Sequence, residues 1–243
     1  MSYVLIIGAK SDIAKEVARV YAKNGYNIYL AARESDSLED LKQDIETRND
    51  VNVKLKEFDI TSYDTHEDFY ASLEEKPLGV IVVSGYMPEQ KSAQKSWDET
   101  LRAINVNYTG AVSILNIVAN DFEKERRGFI VGVSSVAGDR GRKANYIYGS
   151  SKAAFSAYLS GLRNRLYENG VQVLTVKPGF VATKMTENLD LPENLTAEAC
   201  DVAEDIFNAQ QKGRNTLYTK PIWFFIMLII KHIPEFIFKK MSI

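Results

Sequence analysis

The sequence predicts a three-layer α/β fold, a doubly wound parallel sheet with helices on both faces, in one domain that carries an apolar C-terminal extension. Three observations predict it. Short β-branched runs alternate with longer segments of helical period, the pattern of βαβ units. Several runs, among them VLIIG, VIVVSG and FIVGVSS, are apolar at consecutive positions, as strands covered on both faces are. The 243 residues can bury one large core, and no repeat, linker or composition shift interrupts them before residue 220.

In chain order, a first strand over 3–7 leads into an amphipathic helix over 12–23. A strand over 27–31 pairs with a helix over 38–48, and one over 53–58 with a helix over 64–73. Next come a strand over 79–84 with a long helix over 99–123, and a strand over 128–134 with a helix over 148–168. A strand over 171–177, a helix over 197–211 and a short last strand over 216–218 complete the domain, 1–219, leaving 220–243 as a tail.

Composition removes several classes of function. Thirty basic and 32 acidic side chains leave a net charge of −2, so no global field points to nucleic acid. His66 and His232 are the only histidines and there is no Cys/His cluster, which argues against a metal site or a Ser-His-Asp triad. The single cysteine, Cys200, has no partner for an internal disulfide, and MSYVLIIGAK has none of the regions of a secretory signal. Both fit a cytoplasmic protein.

The first strand runs into GAKSDIA, Gly8 to Ala14. A helix amino terminus directly after a first strand is an anion site, since unpaired N–H groups and the helix dipole face it. Gly8 permits the tight turn and Ala14 close helix packing, so Gly8, Lys10, Ser11, Asp12 and Ile13 are candidates to hold a dinucleotide pyrophosphate. Asp12 stands where that fingerprint wants a second glycine. It is expected as the N-cap, with its carboxylate turned away from the phosphates. After the second strand, Arg33 occupies the place where an acid would bond a ribose 2′-hydroxyl, and with Lys10 it favours NADP over NAD. Solvated surface cations are the alternative. Asp59, followed by Ile60, could bond the adenine amino group or cap the next turn.

Two stretches carry the chemistry: FIVGVSSVAG, with Ser134 and Ser135, and NYIYGSSKAA, with Tyr148 and Lys152. Residues four apart on a helix share a face. A free tyrosine has a pKa of roughly 10, and a neighbouring ammonium favours its phenolate. Tyr148 is therefore a candidate proton donor to a carbonyl oxygen receiving a hydride, and Ser135 could bond the same oxygen.

In combination these motifs resemble the short-chain dehydrogenases/reductases. Gly8 with its turn, the Ser-Ser-x-x-Gly stretch, Tyr148-x-x-x-Lys152 and Pro178-Gly179 fall in the family's order over about residues 3–218. The resemblance implies a Rossmann-type sheet, hydride transfer with a nicotinamide cofactor, and a tetrad of Asn107, Ser135, Tyr148 and Lys152. It places Thr183 and the backbone of Val181 beside the nicotinamide carboxamide, and implies a homodimer or homotetramer. Two departures concern the cofactor. Asp12 and Ala14 replace the last two glycines of TGxxxGIG, and Val83-Ser84-Gly85 replaces Asn-Ala-Gly, altering the contact that Ser84 and Gly85 would make.

The tail begins PIWFFIMLII, ten apolar residues from Pro221 to Ile230, then meets Lys231, Pro234 and Glu235 and ends on Lys239 and Lys240. A membrane span needs about 20 apolar residues. A helix lying in the interface, with its lysines at head groups, is easier, and packing against the protein's own substrate cleft or against a subunit partner is the alternative. A GxxSxI turn with an apolar, Pro-broken, basic-ended tail is similar to decaprenylphosphoryl-2-ketoribose reductases. That resemblance implies a hydrophobic or polyprenyl-phosphate-linked keto sugar as substrate, met at the inner face of a membrane through 221–240. The competing readings are a soluble ketoreductase or alcohol dehydrogenase for a small substrate and a non-catalytic dinucleotide-binding regulator.

Overall fold

A computed structural model describes residues 1–241. The chain opens with β1 (Tyr3–Ile7), α1 (Asp12–Lys23), β2 (Asn27–Ala32), α2 (Glu39–Arg48), β3 (Val53–Glu57), α3 (His66–Ala71) and β4 (Gly79–Val82). It continues through α4 (Gln90–Ala93), α5 (Trp97–Ile104), a π-helical turn over Asn105–Thr109, α6 (Gly110–Glu125), β5 (Phe129–Val133), α7 (Tyr146–Leu166) and β6 (Gln172–Lys177). Last come β7 (Phe180–Ala182), β8 (Thr196–Glu198), α8 (Ala199–Gln211), β9 (Thr216–Tyr218), α9 (Ile222–His232) and α10 (Glu235–Phe238).

The main sheet has the order β3-β2-β1-β4-β5-β6-β9, every pair parallel. Alternation along each strand feeds two cores. Val4 and Ile6 join Ile28, Leu30 and Leu174 under α1, α2 and α8. Leu5 and Ile7 join Tyr29, Val80, Ile130 and Val173 under α6 and α7. Both strand faces are dry, hence the uninterrupted apolar runs. The order reverses between β1 and β4, and the crevice at such a switch point is where open α/β sheets bind ligands.

The predicted long helix over 99–123 is instead two helices joined by the π-helical turn. At its end Gly110 packs so tightly that a Cβ would stand 2.0 Å from the Ile60 carbonyl oxygen. The extra residue of a π-turn lets Asn107 turn inward while Gly110 keeps that contact.

The tail belongs to the body. On α9, Trp223 and Met227 are 3 % and 1 % exposed and pack on Val136, Phe180, Leu195 and Tyr218. Arg140 caps its far end, donating from Nη1 to the Ile230 and Ile233 carbonyls at 2.6 Å each and from Nη2 to Glu235 at 2.9 Å. The opposite face stays open: Phe225 is 60 % and Ile229 67 % exposed. No helix among the described residues is long and apolar enough to cross a membrane.

Candidate active site

Gly8 adopts φ +84°, the left-handed region, and a Cβ there would stand 2.7 Å from the Ser84 amide nitrogen. Only glycine lets the ends of β1 and β4 approach this closely. The extended backbone before α1 falls at Ser11, not Asp12, so Ser11 is the N-cap residue, with no side-chain cap bond. Asp12, expected as the cap, lies in the first turn, and its carboxylate accepts from the Lys184 amide at 2.9 Å. The carboxylate does turn out of the phosphate turn. Its partner is a loop 172 residues away.

Lys10, read as a free cation, donates to Glu34 at 2.7 Å, a contact that holds the Glu34 carboxyl below its ordinary range. The pair is exposed and screened by solvent, so Lys10 can exchange partners at little cost. Glu57 accepts from the Glu34 and Ser35 amides at 2.9 Å each and fixes the turn that carries Arg33. Asp59 caps its own turn, accepting from Thr61 N at 2.9 Å and Oγ1 at 2.8 Å. Burial opposes ionisation there, but the Thr61 bonds hold the carboxyl below the usual range. Next to it His66 is buried between Ser113 Oγ and the Asp59 carbonyl, and burial pushes its pKa down.

Tyr148 and Lys152 lie on the first turns of α7, which presses so closely on the 136–138 turn that a Cβ on Gly149 would stand 2.7 Å from the Ala137 carbonyl oxygen. That contact sets Ser135 against Tyr148. Ser135 Oγ accepts from the Ala137 amide at 3.1 Å. Ser134 is occupied elsewhere, bonded to the Lys152 carbonyl at 2.9 Å and to Ser156 Oγ at 2.7 Å. Lys152 Nζ donates to the Val133 carbonyl at 3.0 Å and reaches the Ser84 carbonyl at 3.5 Å, 5.8 Å from the Tyr148 ring centre. Asn107 accepts from the Tyr86 amide at 2.7 Å and donates to the Tyr86 carbonyl at 2.8 Å and Ser151 Oγ at 2.9 Å.

Burial pushes the Tyr148 phenol up to about 12, against a hydrogen bond from Ser135, and pushes the Lys152 ammonium down to about 8. The expected lowering of the phenol by Lys152 does not prevail in the protein alone. Desolvation wins, and the phenol stays protonated.

A single cavity of about 970 Å³ joins these features. It runs from Gly8, Lys10, Ser11, Asp12 and Ile13 past Arg33, Asp59 and Ile60, then over Ser84 and Gly85 to Ser135, Tyr148 and Lys152. Pro178, Gly179, Val181 and Thr183 close the opposite side. Asn107 does not line the cavity and is bonded behind it to the Tyr86 backbone. Sequence reading missed Arg142, Asn145 and Met185, which line the same cavity, and Trp223 of the tail lines it with them. A Cβ on Gly179 would stand 2.0 Å from the Trp223 indole, so the Pro-Gly pair is also the seat of the tail.

A doubly wound sheet with these residues at its switch point defines a dinucleotide-type oxidoreductase scaffold. The chain belongs to the short chain dehydrogenase family, whose model matches residues 2–194. An uncharacterised oxidoreductase of Mycobacterium tuberculosis is 32 % identical over 241 residues, 98 % of this chain and 96 % of the relative. A short-chain dehydrogenase from Sphingobium yanoikuyae, solved with NADPH, superposes with a TM-score of 0.85 at 22 % identity, covering 97 % of each chain. The bulky-bulky ketone specific alcohol dehydrogenase from Comamonas testosteroni superposes at 0.81 and 20 % identity, covering 97 % of this chain and 96 % of that one.

Proposed function

We propose that this protein is an NADPH-dependent carbonyl reductase for a hydrophobic or polyprenyl-phosphate-linked keto sugar, with Tyr148 as the proton donor. The observation that carries the reading is one cavity holding both the Gly8 turn and a buried, protonated Tyr148 backed by Lys152. The cofactor fits the residues present. The Gly8–Ser84 contact leaves no room for a side chain, and the first amides of α1 have no side-chain cap competing for an anion. Gly8, Ser11 and Ile13 would hold the pyrophosphate, Arg33 and Lys10 the 2′-phosphate, Asp59, Ile60, Ser84 and Gly85 the adenosine side, and Pro178, Gly179, Val181 and Thr183 the nicotinamide side. NAD remains the second choice at this site. When bound, the dinucleotide supplies the hydride.

The protein's own residues manage the proton and the oxygen. The Ser135 hydroxyl donates to the substrate carbonyl oxygen, and the Tyr148 phenol donates its proton as that oxygen becomes an alkoxide. A phenol near 12 holds its proton at neutral pH and releases it to a stronger base. Lys152 then faces a phenolate and stabilises it. Asn107, bonded to both Tyr86 backbone groups, keeps the wall behind Lys152 in register.

The preference for an apolar or lipid-linked substrate is supported by α9, which lends Trp223 to the cavity while Phe224, Phe225, Leu228 and Ile229 face outward. On this reading the tail both walls the site and rests on the inner surface of a membrane. Assembly through α6 and α7 into a homodimer or homotetramer is part of the same proposal. The test is NADPH consumption by the purified full chain with a panel of apolar ketones and ketoses, with and without vesicles. Turnover that follows substrate apolarity supports the reading, while NADPH binding without turnover of any carbonyl compound identifies a regulator instead.

A further inference from the structure

Arg142 sits in the segment between β5 and α7, in the turn that leads directly to Tyr148. Asn145 N donates to the Arg142 carbonyl at 3.1 Å, and Gly149 N to the Asn145 carbonyl at 2.7 Å. The Arg142 side chain lines the cavity, yet its Nε is buried without a hydrogen-bond partner, and among the described residues no carboxylate lies within ion-pair distance. The nearest acid in sequence, Asp139, is already taken by Lys177 Nζ at 2.5 Å and the Tyr218 hydroxyl at 2.7 Å. Burial pulls the Arg142 pKa below its ordinary value, with only a Coulombic contribution from Asp139 opposing.

The surroundings share this asymmetry. Among the buried unpartnered side-chain atoms, Asn145 Oδ1 and Gln90 Nε2 also gather at the start of α7, where Gln90 Oε1 accepts from the Ile147 amide at 3.1 Å. Those two are an acceptor and a donor, complementary in kind. The Arg142 donor has no acceptor of the protein's own. The acids lining the cavity, Asp12, Glu34, Glu57 and Asp59, belong to the first turn of α1 and the ends of β2 and β3, and Arg102, which also lines it, is occupied over the Tyr86 ring and beside Glu99 at 4.0 Å. A half-buried guanidinium whose Nε is shut off from solvent without a partner, and which has no counterion, is costly to keep. The cost is recovered when a ligand brings the missing oxygens.

We infer that Arg142 is the recognition residue for a phosphate group on the substrate, held beside the carbonyl that Tyr148 protonates. A planar fork of N–H donors matches phosphate oxygens two at a time. The inference rests on the carbonyl-reductase reading for the identity of that side of the cavity. It deepens that reading by choosing the phosphate-bearing substrate over an uncharged one and by naming the residue that reads the phosphate. Asn145 Oδ1, a buried acceptor, would take a hydroxyl from the same molecule.

The test uses the full chain saturated with NADP⁺, so that the cofactor's own phosphate sites are filled. Calorimetric titration with methyl phosphate, at constant ionic strength, is compared for wild type, Arg142→Gln and Arg142→Lys, with NADP⁺ affinity as the fold control. The expected result is binding by wild type, about tenfold or more weaker in Arg142→Gln, partly restored in Arg142→Lys, with NADP⁺ affinity unchanged. Equal binding by Arg142→Gln, or no binding by wild type, overturns the inference. Farnesyl phosphate distinguishes the source: tighter binding than methyl phosphate, still dependent on Arg142, identifies a lipid-borne phosphate, and equal binding a soluble phosphate ester. Arg142-dependent phosphate binding in a protein that reduces no ketone would sink the reductase reading and leave the phosphate site standing.

Discussion

The Lys184 amide donates to the Asp12 carboxylate at 2.9 Å and joins the cofactor turn to the loop after β7. Where the family pattern has glycine, this chain has a latch. Asp12→Ala is expected to raise hydrogen exchange at Lys184 and its neighbours about tenfold or more, while α1 and β1 stay protected. Unchanged exchange in that loop would show that the bond holds nothing in place.

Lys152 gives two linked predictions. Its ammonium is lowered to about 8 by burial, so carbonyl reduction should decline as pH rises through about 8 and the charge opposite Tyr148 is lost. The stability effect has the opposite sense. Between about 8 and 10.5 the unfolded chain holds the proton that the folded chain has released, so stability rises with pH across that window. Lys152→Met should therefore cost activity without lowering Tm at neutral pH. Relief of a buried charge, worth roughly 1–3 kcal/mol, offsets two carbonyl acceptors left without a donor. A clear drop in Tm would mean that the ammonium stabilises the fold.

Trp223 and Gly179 are in contact over the mouth of the cavity, and the indole Nε1 donates to the Leu195 carbonyl at 3.0 Å. Trp223→Ala should cost about 3–5 kcal/mol of stability, as large core truncations do. Gly179→Ala should displace the indole and raise KM more than it lowers kcat, since the wall moves and the Tyr148 proton does not. Steady-state kinetics beside thermal melts separate the two.

The outward face of α9 can be changed without touching the core. With Phe225 and Ile229 mostly exposed, Phe225→Asp with Ile229→Asp should leave the unfolding free energy within about 1 kcal/mol of wild type and abolish sedimentation with anionic vesicles. If wild type itself does not sediment, the face serves a protein contact instead.

How much of this was legible in the sequence varies with range. Strand β1, helix α1 and strand β9 have the bounds the sequence predicts, because period, turn chemistry and burial agree locally. The three-residue strands β7 and β8 pair 16 positions apart and present no periodicity to read. The π-turn that rotates Asn107 inward depends on Gly110 meeting the Ile60 carbonyl, a contact between distant segments. Asn107, Ser135, Tyr148 and Lys152 could be named because their spacing and motif order are local. Arg142 could not, since an arginine is solvated by default and only the fold shuts its Nε away from water and partners. The tail's two faces were visible only as one apolar run, and the split between Trp223 and Phe225 is set by what lies beneath.

The central claim is that Tyr148 delivers the proton in a carbonyl reduction. Single-turnover oxidation of NADPH with the best ketone of the panel, in wild type and Tyr148→Phe, tests it most directly. The account predicts a loss of about 10²-fold or more in the variant with NADPH affinity unchanged. A variant that keeps the wild-type rate would contradict it and move the proton donor elsewhere in the cavity.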